Sequence, residues 1–300
     1  MYLSLTSMNQ KTEITLASWL QLFILGVIWG SSFILIKRSL VGLSPVEVAS
    51  FRIAIACVAL MPFDIAQFRN IEWKKWYKFL FVGLTTTGIP SFCFAFAQTH
   101  VDSATAGILN ALTPIFTLLI SVWLFNARFE WGKLAGVLIG FVGAGLLVYN
   151  AGGGVQGSNA WYSLLILLAT ICYGFNANAV KQFFPSTSSV TVSAVAFVMV
   201  GFPALLYLIF SGSLIHAFQN TASHPSLMAV ALLSLLCTVL ANIVFYRLIQ
   251  HTNAVFGSSV TFLIPVVASL WGLFDGEDFG IYHVISMFSI LIALLIIRRK

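Results

Sequence analysis

Two stretches decide the architecture of this chain: HVDSATAGILNALTP at residues 100–114 and HTNAVFGSSVTFLIP at residues 251–265. Each opens on a histidine (His100, His251), sets a helix-capping residue type two positions later (Asp102, Asn253) and arrives at a proline (Pro114, Pro265), at a constant spacing of 151. Earlier in each half, Gly30 and Lys37 match Gly174 and Lys181 at a spacing of 144, with Trp29 against Tyr173. Any one match is weak among apolar segments. Together they read as a duplication.

Working outward, both halves are built of apolar runs. The chain has 300 residues, 59% hydrophobic and only 8% charged. A soluble domain carries roughly 25% charged residues, and so few charges could not cover the surface of a soluble particle this large. A lipid-facing surface needs no such cover. A span takes about 20 mostly apolar residues. That length places helices near 17–36, 46–66, 77–98, 103–125 and 131–149, and, after the Gly152-Gly153-Gly154 break, near 161–181, 188–211, 227–249, 254–274 and 280–297. The first run is long enough to span and lacks a small-residue cleavage site, so it is expected to stay as the first helix. Cys57, Cys93, Cys172 and Cys237 all fall inside apolar runs without metal-ligand spacing and read as small buried hydrophobes.

The expected fold class is therefore an all-α integral membrane protein, ten transmembrane helices arranged as two inverted five-helix repeats. Five spans is an odd number, so the second repeat enters the membrane from the opposite side. The organisation expected is a tail at 1–16, a first repeat at 17–149, a linker at 150–160, a second repeat at 161–297 and a basic end at 298–300. With the N-terminus cytoplasmic, twelve of the fifteen Lys and Arg residues fall inside, Lys37 and Arg38 fall outside, and Arg52 lies within a span. Both termini are thus expected in the cytoplasm. The net charge of +6 is distributed by this bias and is no sign of nucleic acid.

Polar residues at mid-span need partners in lipid. Ser31, Ser32, Gln98, Asn110, Asn176, Asn178 and Asn242 are candidate pocket residues, with Trp29, Phe94, Tyr173 and Tyr246 as candidate aromatic walls. Any single one of them serves equally as glue between helices. Arg52, about seven residues into the second span, either meets substrate or gates; the plainer alternatives are snorkelling and bonding to helix-end carbonyls. Pro114 and Pro265 are read as mid-helix, where each would kink its helix, as a static bend or as a hinge. Ser44-Pro45-Val46-Glu47 has the pattern of a capping box, which makes Glu47 structural. Gly132, Gly136 and Gly140 recur every four residues, as close helix packing requires.

The chain resembles the drug/metabolite transporter superfamily, in particular its EamA-type ten-helix transporters. The residues that carry the resemblance are Trp29-Gly30-Ser31-Ser32-Phe33, Arg52, Asn110-Ala111-Leu112-Thr113-Pro114, Phe262-Leu263-Ile264-Pro265 and Gly276-Glu277. The resemblance implies a multi-pass protein of a bacterial cytoplasmic (inner) membrane that moves small metabolites, with export of amino acids or related solutes expected. One departure is visible: Asn126 stands where the second half has Glu277.

The residues themselves argue for a transporter because inverted repeats are a recurring design of secondary carriers, with the substrate near the midplane between them. No GxSxG, HExxH or P-loop pattern occurs, so neither a membrane-embedded enzyme nor an ATP-driven pump is expected. Nothing reads as a selectivity filter or a charge ring. A receptor or scaffold would leave the duplication without purpose. No cofactor and no metal are expected. The partners expected are a small neutral or amphipathic solute and the bilayer, with no nucleic acid, and the oligomeric state, a monomer included, is left open. With no mid-span Asp or Glu, coupling is left to facilitated diffusion, exchange or His-mediated proton movement.

Overall fold

The computed structural model describes residues 14–67, 71, 73–101, 103–150, 160–267 and 281–298, and every regular element among them is helical. Helices α1 (Leu16–Gly30) and α2 (Ser32–Ser39) run on from each other across a break at Ser31. The Ser31 Oγ donates to the Val27 carbonyl at 2.9 Å and the Ser32 Oγ to the Trp29 carbonyl at 2.7 Å. Hydroxyls that bond back onto the preceding turn in this way bend a helix. Helix α3 (Pro45–Gln67) begins with the expected box: the Ser44 N–H and Oγ–H both donate to Glu47 Oε2 at 2.8 Å, and the Glu47 N–H donates to Ser44 Oγ at 3.4 Å.

The third span joins α4 (Trp76–Gly83) to α5 (Ile89–Ala97) through a π-helical turn, Leu84–Gly88. The fourth is divided into α6 (Ser103–Asn110) and α7 (Thr113–Leu124), and α8 (Trp131–Asn150) ends the first half. The second half opens with α9 (Ala160–Phe183) and α10 (Ser189–Phe210), followed by the short α11 (Ser213–Gln219). Helices α12 (His224–Leu232) and α13 (Ala241–His251) flank a second π-helical turn, Leu233–Leu240. Helix α14 (Ala254–Ser258) passes through a 3-10 turn, Ser259–Phe262, into α15 (263–267), and α16 (Ile281–Arg298) closes the chain.

Seven segments among the described residues are long and apolar enough to cross a membrane. Shorter apolar helices, Trp131–Leu146, Ala254–Val267 and Val284–Ile297, stand where the fifth, ninth and tenth spans are expected. Large apolar side chains such as Trp123, Trp161 and Phe210 point outward, as a surface in lipid permits. The Gly152-Gly153-Gly154 break, Asp102 and the 268–280 segment with Gly276-Glu277 lie outside the described residues.

The irregular turns recur at the spacing already seen in the sequence. Moved by 151, the π turn at 84–88 falls at 235–239, inside the second π turn; the break at 111–112 falls at 262–263, the end of the 3-10 turn. The proline expectation needs correction. Pro114 lies in the first turn of α7, where its missing N–H is harmless, and the break precedes it. There the Leu112 N–H donates to Leu109 O in a tighter turn. Pro265 is the third residue of α15.

Several elements approach at glycine. A Cβ on Gly201 of α10 would lie 2.3 Å from the Cys57 Cβ of α3. Gly136 meets Ala293 and Ile297 of α16, and Gly140 lies under the Phe262 ring, whereas Gly132 faces open space. The glycine stripe therefore packs within the fold at two of its three positions. All four cysteines are buried and none forms a disulfide.

Candidate functional site

A small cavity, of about 70 Å³, lies where the interrupted helices meet. The break at Ser31 turns Trp29, Ser32 and Phe33 onto one wall. The first π turn presents Thr86, and α5 adds Phe94 below it. Asn110 and Thr113 flank the gap in the fourth span, while Thr261 and Ile264 come from the matching region of the ninth. Helix α9 contributes Tyr173 and Asn176, and α13 contributes Asn242 and Phe245. Arg52 reaches in from α3.

The walls are aromatic and layered. The Trp29 ring meets Phe245 edge-on, with centroids 5.0 Å apart, and Phe94 lies between Phe33 at 5.9 Å and Tyr173 at 6.1 Å. The polar groups are tied into a network between helices. Asn176 Nδ2 donates to the Val82 carbonyl at 3.1 Å and to the Tyr246 hydroxyl at 3.3 Å. Asn242 Oδ1 accepts from Thr86 Oγ1 at 2.9 Å, while its Nδ2 donates to the Thr238 carbonyl at 2.7 Å. Trp29 Nε1 donates to the Cys237 carbonyl at 2.8 Å, and so holds α1 against the second π turn. Carbonyls in and beside the wide turns thus find donors from other helices, which a water-free setting requires.

Arg52 does not snorkel. It is 8% exposed, and its Nε donates to Thr238 Oγ1 at 2.8 Å. The Ser234 hydroxyl donates to the Arg52 carbonyl at 2.6 Å, so α3 is fixed to the second π turn through both backbone and side chain. Among the described residues, no carboxylate lines the cavity.

Of the residues singled out in the sequence, Trp29, Ser32, Phe94, Asn110, Tyr173, Asn176, Asn242 and Arg52 meet at this cavity. Tyr246 is fully buried behind it, holding Asn176. Ser31 bonds back to its own helix and stands apart. Asn178 donates to the Thr117 and Gly174 carbonyls, both at 2.9 Å, and borders a second concavity with Arg128, Glu130, Lys133 and Lys181. Lys181 Nζ donates to the Gln250 carbonyl at 2.7 Å, so it serves the end of α13 and not that of its own helix. Gln98 lies away from the cavity, and both its amide atoms are buried without a partner. His100 stacks on Tyr162 at 3.9 Å, well outside the site. The residues that sequence reading missed, Thr86, Thr113, Phe245, Ser258 and Thr261 among them, carry one of two signals. They lie in or beside the irregular turns, or at the 151 spacing from a residue already singled out.

That spacing organises the lining. Trp29 and Tyr173, and Ser32 and Asn176, are matched at 144. Phe94 and Phe245, Asn110 and Thr261, and Thr113 and Ile264 are matched at 151. Both members of all five pairs face the cavity.

Comparison with known proteins places the chain in a family. The model of a family described as the EamA-like transporter family matches residues 17–149 and again residues 160–299. An uncharacterized transporter of Archaeoglobus fulgidus is 23% identical over 283 residues, covering 94% of this chain and 99% of that protein. The uncharacterized inner membrane transporter YedA of Escherichia coli K12 is 28% identical, covering 84% of this chain and 80% of its own length. A probable terminal-alkyne amino-acid exporter of Streptantibioticus cattleyicolor is 23% identical, with 82% of each chain covered. A protein of known crystal structure shares the fold, with a TM-score of 0.70 at 16% identity, over 93% of this chain and 96% of that one.

Proposed function

We propose, from the premise that this chain belongs to the EamA-like transporter family, that it carries small metabolites across a bacterial inner membrane by alternating access. The single observation that carries this reading is the set of five matched pairs around one cavity. In an inverted-repeat carrier the site lies between the repeats, so equivalent residues of both must face it. The architecture proposed with it is ten spans as two inverted repeats with both termini cytoplasmic. The double match of the family model and the recurrence of the irregular turns support it.

The cargo proposed is an amino acid or a related amphipathic solute, and the direction is export. The aromatic walls and the amide groups support an amphipathic solute, and the named exporter among the relatives supports the direction. Trp29, Ser32, Phe94, Asn110, Tyr173, Asn176 and Asn242 are proposed to touch it. The breaks beside Pro114 and Pro265 are proposed as the places where the halves flex.

Uptake of a labelled metabolite panel into proteoliposomes, with and without a pH gradient, tests the proposal. Saturable flux of one solute class is expected, with a loss of tenfold or more in Asn110→Leu and in Trp29→Ala while both variants remain folded. Absence of flux for every solute would sink the carrier reading in favour of a receptor or scaffold.

A further inference from the structure

Arg52 is a full positive charge, 8% exposed, in the wall of a cavity lined by no carboxylate among the described residues. A cation at that depth in a membrane is costly unless something pairs with it. Arg has five N–H donors and no acceptor. The Thr238 hydroxyl satisfies the direction of its Nε–H but supplies no counter-charge. Glu47 is engaged by Ser44 and Glu130 by Lys133, and Asp64 stands twelve residues beyond Arg52, about 18 Å along α3. A buried charge without a counter-charge is unfavourable, and a carboxylate arriving in the cavity relieves that penalty through the paired N–H groups that guanidinium offers.

The rest of the cavity narrows the class. The Asn176 and Asn242 amides are already hydrogen-bonded to the protein. An ammonium group would find no carboxylate among the described residues of the wall and would be repelled by Arg52. The remaining surface is mostly aromatic, from Trp29, Phe33, Phe94, Tyr173 and Phe245.

We propose that the solute is an amphipathic monoanion whose carboxylate pairs with Arg52 while its apolar body lies between the aromatic walls. This rests on the carrier reading above and narrows its cargo, from amino acids and their relatives to those relatives that carry a carboxylate and no ammonium group. A purely structural Arg52, clamping α3 to the second π turn, is the rival. The Ser234 bond to the Arg52 backbone already makes that clamp without any charge.

Four forms of one skeleton separate the two: N-acetylphenylalanine (anion), phenylalanine (zwitterion), phenylalaninamide (cation) and N-acetylphenylalaninamide (neutral). Their Kd values are measured by titration calorimetry on the full-length protein, and their flux in proteoliposomes. N-acetylphenylalanine is expected to bind at least tenfold tighter than the other three. Arg52→Gln should raise its Kd tenfold or more and leave that of the neutral amide within twofold, with Arg52→Lys intermediate. Thr238→Val removes the side-chain link but keeps the charge, and should leave the anion within threefold.

Equal weakening of anion and neutral amide by Arg52→Gln, reproduced by Thr238→Val, would establish the clamp and overturn the proposal. Tighter wild-type binding of phenylalanine or of either amide would overturn it too, and their flux would leave the carrier reading standing. Binding of none of the four also overturns it. In that case the metabolite panel judges the carrier reading by itself.

Discussion

Asn126 has a φ of +53°, in the left-handed region that costs most L-residues roughly 1–2 kcal/mol and that Asn enters more easily. It stands just after α7, where the turn favours a residue type that enters this region at low cost. Asn126→Gly is therefore expected to be neutral. Asn126→Ala should lower the unfolding midpoint in detergent by about 2 °C, from a cost of about 1 kcal/mol, with flux unchanged. At this scale the candidate site was legible where a polar or aromatic residue sat at mid-span, as Trp29, Asn110 and Asn242 do. It was not legible where neighbouring residues part company. Ser31 and Ser32 differ by one position, yet the break sends only Ser32 inward. Asn176 and Asn178 lie about 200° apart round a helix, so one meets the cavity while the other bonds to carbonyls of α7 and of its own helix.

Between elements, the two π turns do what a regular helix cannot. Each adds width at mid-span and re-aims the residues after it, which is how Thr86 comes to face Asn242 and Thr238 comes to face Arg52. Apolar periodicity has no signature for such a turn, so sequence reading placed the third and eighth spans correctly as helices and missed what their middles present. The helix positions themselves were legible because twenty apolar residues have few other uses. The breaks were expected at the prolines and lie just before them, at 111–112 and at Ser259–Phe262, where a proline withholds its N–H from the carbonyl four residues back. Close approach is testable at the same scale. Gly201→Ala would set a Cβ 2.3 Å from that of Cys57 and 2.9 Å from the Ile53 carbonyl. Overpacking of this kind costs typically 1–3 kcal/mol. A lower unfolding midpoint is expected, with partial recovery when Cys57→Gly removes the opposing Cβ.

For the whole molecule, the duplication seen in two fifteen-residue stretches becomes a cavity whose walls come in pairs, and Arg52 breaks that symmetry. Its counterpart at the 144 spacing is Ala196, so one half alone supplies the charge. The asymmetry has an electrical consequence. If Arg52 stays in place while its anionic cargo crosses, each cycle moves one net negative charge and the carrier generates a current. Bacterial interiors are negative, so exit of an anion runs with the voltage, by about 2.3 kcal/mol per 100 mV. That alone supports a gradient of about fifty-fold. Efflux of N-acetylphenylalanine from proteoliposomes should accordingly quicken when valinomycin and a potassium gradient make the lumen negative, and slow when they make it positive, while the neutral amide ignores both. A carrier wired in this way needs no proton or sodium site, because the membrane itself is its battery.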